Sequence, residues 1–325
     1  YSQTRYLVQK PVNGLDISFV KKTAGKTLWE HIYKFPEYGL TLSFTTLGNK
    51  NVLGNGWALH PFVKTFIINR ERFQLSPEFG LGVGYVTKTF NLNSNYENIT
   101  LGSHFNVYFN FKLYARVALT NKLSFNTGIS FSHFSNANMA EPNLGINLLS
   151  GFAGINYAIG QKSVIEKMEL PAHEKKHELA FVYAPGGKHT RALQSKVYFT
   201  SSFSTEYKYH WKRKFHIGTG LDLFYDSSTK TEMSVEKDKT YKSIYDLKSG
   251  VHLSQEFVYN KLSVIIQEGV YLLLIDHINN VSEYNRAILR WKFNKHFFVH
   301  ISMKSHLYIL DYPEVGFGIY TLSNK

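Results

Sequence analysis

Apolar and polar side chains alternate strictly over long stretches of this chain. Between Leu101 and Leu119 most odd positions are apolar and most even positions are polar, a period of two that indicates one continuous β-strand. At ~3.3 Å per residue this strand would be about 60 Å long, whereas strands of globular proteins usually have about 3–10 residues. A tilted strand of a transmembrane barrel accounts better for this length.

Fifteen segments show this alternation, the first at 13–24 and the last at 313–322. Short polar turns such as Asn121-Lys122 alternate with longer polar loops, as in outer-membrane barrels. Because single-chain bacterial barrels usually have an even number of strands, we predict an all-β fold, a transmembrane antiparallel barrel of about 14 strands. A long charged loop at 161–177 breaks the order of the turns, but we expect a single barrel domain over 1–325.

The composition agrees with a barrel and limits the partners. Aromatic residues make up 16% of the chain and charged residues 19%, and no run approaches the ~20 apolar residues of a membrane-spanning helix. The net charge of +13 favours an anionic neighbour. An acidic lipid fits better than nucleic acid, because the chain has no basic helix or RNA-binding signature. Cysteine is absent, which excludes disulfides and Cys-ligated zinc, and we expect neither a cofactor nor a metal.

One group of polar residues falls on the face that should contact lipid. His133 and Ser135 are two positions apart near the end of a strand and share the parity of the apolar Phe131 and Ile129. Asn147, on the next strand, also has the parity of its apolar neighbours. Counted from the preceding turn, Ser135 lies roughly 33 Å along the membrane normal, beyond an apolar band about 25 Å tall. The three side chains should therefore meet near the outer-leaflet interface.

A serine beside a histidine, with a third group to orient the imidazole, is the arrangement of an activated nucleophile for acyl transfer. The spacing alone is a weak signal, because His and Ser also occur at barrel interfaces without a catalytic role. The lipid-facing parity strengthens the catalytic interpretation, since polar groups that face lipid cost free energy.

The segment from His133 to Asn138, with Glu141 to Asn147, resembles the motif of PagL-like lipid A 3-O-deacylases, a family also described as acyloxyacyl hydrolase-like. The resemblance implies a serine esterase of the bacterial outer membrane that removes an ester-linked acyl chain from lipid A. By this resemblance Ser135 would be the nucleophile and His133 the general base. Asn136 and nearby backbone N–H groups, including that of Ala137, would form the oxyanion hole.

The sequence departs from the family at the acidic member of the triad, which aligns with Asn147. An asparagine can orient an imidazole but cannot stabilise the imidazolium by charge, and an Asp-to-Asn change in a serine protease costs about 10⁴ in kcat. Three hypotheses stay open: a slow esterase, an esterase that uses Glu141, and a non-catalytic barrel that serves as a subunit with other outer-membrane proteins. A passive pore is a further alternative, because a barrel of this size need not be filled by side chains.

A glycine-rich run, Gly80-Leu81-Gly82-Val83-Gly84, lacks the helix that should follow a nucleotide-binding loop. Its glycines all fall on the inner face of a predicted strand. We expect them to make room for neighbouring side chains.

Glu268 has the lipid-facing parity of Ile266 and Val270. Two explanations are open at this point. Either a β-bulge shifts the register of the strand, or a protein partner covers the carboxylate.

Overall fold

A computed structural model describes residues 5–159, 165–190, 196–307 and 309–323, and part of the predicted loop 161–177 lies outside them. Within these residues the chain forms sixteen β-strands and only short helices. Every strand pair is antiparallel, so the predicted all-β antiparallel class is confirmed. None of the helices in the described ranges is long and apolar enough to span a membrane.

The first compact unit comprises Tyr1–Asn136 and Pro142–Leu170. Its strands pair in the order β1-β2-β3-β5-β6-β7-β8, and β4 pairs only with β5. A short helix, α1 (Leu28–Ile32), connects β1 to β2. The strand bounds are β1 (Gly14–Lys22), β2 (Glu37–Thr46), β3 (Asn55–Lys64), β4 (Ile68–Asn69), β5 (Phe73–Val86), β6 (Phe105–Ala118), β7 (Leu123–Ser135) and β8 (Ile146–Tyr157).

An apolar cluster fills the first unit at the end that carries the long loops. It includes Leu47, Val86, Leu101 and Phe134, and the ring of Phe134 is only 1% exposed. A Cβ atom built on Gly84 would lie 2.6 Å from this ring. The same construction on Gly80 meets the His60 ring at 2.4 Å, which confirms that these glycines make room for inward side chains.

The second compact unit comprises Ala137–Glu141 and Pro171–Lys325 and contains a closed eight-stranded barrel. Closure is made by the pairing of β16 with β9. Three short helices, α2 (Thr229–Thr231), the π-helix Glu232–Glu236 and the 3₁₀-helix Ser243–Asp246, lie between β11 and β12. The strand bounds are β9 (His177–His189), β10 (Val197–Lys212), β11 (Phe215–Asp226), β12 (Leu247–Tyr259), β13 (Leu262–Tyr271), β14 (Glu283–Lys292), β15 (Phe297–His306) and β16 (Ile309–Ser323).

The number and grouping of the strands differ from the prediction of about 14 in one barrel. All fifteen predicted segments are strands, and the sixteenth is the two-residue β4. The prediction of an even number assumes one closed sheet, and an even count is expected of each closed barrel by itself. The closed barrel is indeed even, with eight strands, whereas seven strands and the short β4 form the other sheet. The described residues group into two compact units.

Ion pairs fill the lumen of the closed barrel. Arg290 donates to both carboxylate oxygens of Glu206 at 2.8 and 2.9 Å, and all these atoms are buried. Nearer the long loops, the Lys188 ammonium lies 3.1 Å from Asp226 and 3.0 Å from Glu232. Burial raises the pKa of the Glu232 carboxyl, which begins the short π-helix between β11 and β12, outside the strands. These side chains are buried, as expected for an eight-stranded barrel, whose interior is just wide enough for side chains to fill.

We predict that Arg290→Met destabilises the second unit by roughly 3 kcal/mol, because Glu206 keeps its burial but loses its bidentate partner. The double variant Arg290→Met with Glu206→Gln should recover part of this loss in stability, because it leaves no unpaired buried charge at this pair. The measurement is unfolding by guanidinium in detergent, followed by tryptophan fluorescence. Equal midpoints for Arg290→Met and the unmodified protein would contradict this account of the lumen.

Candidate active site

The predicted histidine and asparagine face each other across two neighbouring strands. In the register of β7 and β8, His133 pairs with Asn147. The imidazole Nδ1 lies 2.7 Å from the Asn147 amide Oδ1. An amide oxygen can only accept, so Nδ1 carries the proton and donates it, and Nε2 keeps its lone pair. This is the tautomer that a general base needs.

The site lies on the outward face of the sheet, as the parity predicts. Ile129 and Leu149, which share this face, are exposed, and Leu149 is 79% exposed. Ser132 and Phe134, on the other face of β7, are buried. His133 therefore belongs to an apolar outer wall, where a polar side chain without a role would cost free energy.

Ser135 ends β7 and contacts a residue to which sequence reasoning gave no role. The Asn143 Nδ2 amide group donates to the Ser135 Oγ at 3.1 Å, and the Ser135 hydroxyl and Asn143 Oδ1 lie 3.2 Å apart. The same Oδ1 accepts the backbone N–H of Asn136 at 3.0 Å. One amide side chain thus fixes the serine hydroxyl beside the first residue of the loop. Asn143 lies inside the family motif that the sequence shows between Glu141 and Asn147, but the resemblance gave it no role.

Backbone hydrogen bonds from a distant loop hold Asn143 in place. The N–H of Gly145 donates to the Thr100 carbonyl at 3.0 Å, and the N–H of Gly102 donates to the Pro142 carbonyl at 2.7 Å. Thr100 is buried, and its hydroxyl donates to the Asn98 side chain at 2.5 Å. The position of Asn143 therefore depends on the loop between β5 and β6, about forty residues earlier in the chain.

The two predicted oxyanion-hole residues, Asn136 and Ala137, are both buried. Ala137 has a φ of 56° and Asn138 a φ of 62°, a left-handed conformation that few residues other than glycine adopt. Two such residues in succession store of order 1–3 kcal/mol each and occur where surrounding structure enforces them. The segment Ala137–Glu141 groups with the second unit, and Glu141 is exposed.

The polarity of the site comes from amide and hydroxyl groups. No carboxylate oxygen lies within 4.0 Å of the His133 ring nitrogens in the ranges that the structure covers. Those ranges also contain no group of three His, Asp or Glu side chains arranged to hold a metal ion.

Two family models match the chain, and their limits follow the two sheets. The model for lipid A 3-O-deacylase (PagL) matches residues 13–156, which contain β1 to β8. The model for the C-terminal domain of acyloxyacyl hydrolase matches residues 177–324, which contain β9 to β16. The chain belongs to the PagL-like lipid A deacylase family. This membership and the antiparallel barrel point to a hydrolase of the bacterial outer membrane that acts on lipopolysaccharide.

Comparison with solved structures returns barrel-forming channels. A mutant of the Rh. blastica porin is 8% identical, covers 95% of this chain and 90% of its own, and has a TM-score of 0.20. The TodX deltaS2S3 mutant monoaromatic hydrocarbon channel is 7% identical, covers 96% of this chain and 83% of its own, and also has a TM-score of 0.20. The search of curated proteins finds no match. The assignment to the PagL-like family rests on the two family models.

We predict that Gly145→Ala lowers the deacylase activity of this PagL-like protein about tenfold or more, because the active-site geometry is sensitive to small displacements. A Cβ atom there would lie 2.9 Å from His133 Cε1 and 3.0 Å from the Phe134 carbonyl oxygen, at a φ of +71°. The activity is measured as the acyl chain released from lipid A. The matched control is Gly151→Ala in β8, the strand that begins directly after Gly145, where the nearest atom is 3.9 Å away. Unchanged activity of Gly145→Ala would contradict the role given to this contact.

Proposed function

We propose that this chain is an outer-membrane serine esterase that removes an ester-linked acyl chain from lipid A. The observation that carries the proposal is the 2.7 Å hydrogen bond between His133 and Asn147, on the outward face and two residues from Ser135. This bond orients the imidazole toward the base role while the serine remains at the lipid-facing wall. Family membership supports the substrate class.

In the first step the Ser135 Oγ attacks the ester carbonyl carbon, and His133 Nε2 takes the hydroxyl proton. The carbonyl oxygen becomes an oxyanion, which the backbone N–H groups of Asn136 and Ala137 would stabilise once the Asn136 N–H turns from Asn143 Oδ1 to the substrate. The intermediate collapses, the sugar oxygen leaves with the proton from His133, and the acyl chain stays on Ser135. Water activated by His133 then hydrolyses this acyl-enzyme and releases the fatty acid.

Asn143 acts as a positioning residue in this scheme. Its amide group holds the Ser135 hydroxyl at 3.1 Å and the Asn136 N–H at 3.0 Å, so nucleophile and oxyanion donor are fixed by one side chain. Attack requires the serine proton to turn from Asn143 toward His133. The surrounding wall carries exposed apolar side chains, including Phe105 and Leu149, that suit the acyl chain of a lipid substrate.

Wild-type protein should remove one acyl chain from purified lipid A, and Ser135→Ala should remove none. The reason is that Ser135 carries the hydroxyl group two positions from His133 on the outward face of β7. Mass spectrometry of lipid A, before and after incubation with folded protein in detergent, measures the result. Ser130→Ala on the inner face of β7 serves as the control and should keep full activity. Equal deacylation by wild type and Ser135→Ala would remove the serine from the mechanism.

Restoring the missing charge should accelerate the reaction. Asn147→Asp gives the imidazolium a carboxylate partner, and we expect a rise in kcat of about tenfold or more, because the loss of such a charge costs up to about 10⁴. Asn147→Leu removes the hydrogen-bond acceptor of His133, and its kcat should be lower than that of the wild type. Asn156→Asp on the inner face of β8 is the matched control. The idea fails if Asn147→Asp and Asn147→Leu have the same activity.

A non-catalytic barrel is the second candidate, favoured by the absence of a carboxylate beside His133 in the described ranges. In that case the chain would serve as an accessory subunit of an outer-membrane assembly. Inactivity of both the wild type and Asn147→Asp, with intact folding, would favour this candidate over the esterase.

A further inference from the structure

Glu268 lies on the outward face of the closed barrel in a regular strand. Its neighbours in β13 alternate without interruption between exposed and buried, and Glu268 itself is exposed. The pairing of β13 with β12 and β14 runs without a register shift, so Glu268 stands between Leu253 and Asn285. A bulge therefore does not explain the outward carboxylate. Of the two explanations that the sequence left open, a covering partner remains.

The depth of Glu268 places it inside the apolar band of the wall. It is six residues beyond Leu262, which pairs with Trp291 at the short-turn end of the barrel. With ~3.3 Å per residue and a tilt of ~40°, Glu268 is about 15 Å above that level, in a band about 25 Å tall. Exposed apolar side chains continue beyond it, with Val270 and Leu272. Glu268 is thus enclosed by apolar surface on both sides.

The barrel supplies only part of the hydrogen bonds that the Glu268 carboxylate can accept. Asn285 Nδ2 donates to one oxygen of Glu268, and the Leu307 N–H fixes the Asn285 amide by donating to its Oδ1 at 2.9 Å. A carboxylate can accept about four hydrogen bonds. No lysine, arginine or histidine nitrogen lies within 4.0 Å of Glu268 among residues 5–159, 165–190, 196–307 and 309–323. In lipid the charge would be left without a cationic partner.

The outer wall of the barrel is chemically asymmetric. Polar residues cross one side of it on four adjacent strands. This polar stripe consists of Gln255, Glu268, Asn285 and Ser305. On the opposite side, the outward positions of β9 and β10 carry aromatic residues such as Phe181 and Phe203, with the hydroxyl groups of Ser201 and Thr205 between them. Apart from strand ends, the outward acidic and amide side chains of the described strands β9–β16 all lie in the stripe, which indicates that the stripe contacts something other than lipid.

We propose that the polar stripe is an interface with another outer-membrane protein, whose transmembrane surface presents hydrogen-bond donors and a lysine or arginine opposite Glu268. A second copy of this barrel does not fit. Within the described strands β9–β16 the outward positions, apart from the strand ends, carry no lysine or arginine. The partner that we propose is a different protein with a basic residue at membrane depth, and adducts with a second copy of this chain would overturn the proposal. This inference does not depend on whether Ser135 is catalytic.

The test places a photoreactive amino acid at Ile266 or Ala287, which pair across β13 and β14 beside Glu268 and face outward. Phe181 and Phe203 on the opposite wall are the control positions. Cross-linking is carried out in intact cells of the native host with the full chain, and the adducts are identified by mass spectrometry. Resistance of the folded barrel to unfolding in cold SDS verifies that each variant is intact.

We expect one protein adduct at Ile266 and Ala287, none at the control positions, and a lysine or arginine in the cross-linked partner segment. Glu268→Leu should lower the adduct yield about tenfold or more, since a buried charge pair is lost. Asp238→Asn, in an exposed loop of the same unit, should not lower it. The proposal is overturned if the adducts contain lipid only, arise equally from both walls, lack a basic residue, or persist unchanged in Glu268→Leu.

Discussion

Because successive side chains of a β-strand point to opposite faces, the parity of a residue decides whether it meets the lumen or the outer wall. Both units of this chain follow that constraint, with charged and polar side chains inside and apolar side chains outside. His133, Ser135 and Asn147 are exceptions to it, and they lie together on two paired strands. Their outward position brings a potential nucleophile to the surface where the acyl chains of a lipid substrate are found.

Parity alone does not build the site. The end of β7 must also be held at one position along the sheet. The apolar cluster beneath the long loops holds it through Phe134, which is buried and lies between the outward residues His133 and Ser135 in sequence. The loop after β7 must then return over the strand end, guided by the backbone bonds that Gly145 and Gly102 make. The resulting position of Asn143 connects the serine hydroxyl to the backbone of Asn136. The geometry of the candidate site thus results from contacts between β7, the loop that follows it and the loop between β5 and β6.

The fold was predictable where the information is local. Alternation located every long strand, and the parity of His133 and Asn147 placed both on the outer face, because both depend only on a period of two. The division into a closed barrel and a second sheet was not predictable, since strand pairing and closure are set by contacts far apart in sequence. The role of Asn143 was not predictable for a related reason. Its contact with Ser135 depends on a loop anchored at Thr100, and nothing in the local sequence reports that anchor.

The central claim is that Ser135 is a nucleophile activated by His133. Labelling with a fluorophosphonate, which reacts covalently with activated serine hydroxyls, tests this claim without reference to any particular substrate. The account predicts one labelled peptide containing a modified Ser135, with no labelling of the buried Ser132 and loss of the label in His133→Ala. Folded protein that stays unlabelled at Ser135, or equal labelling of the wild type and His133→Ala, would contradict it.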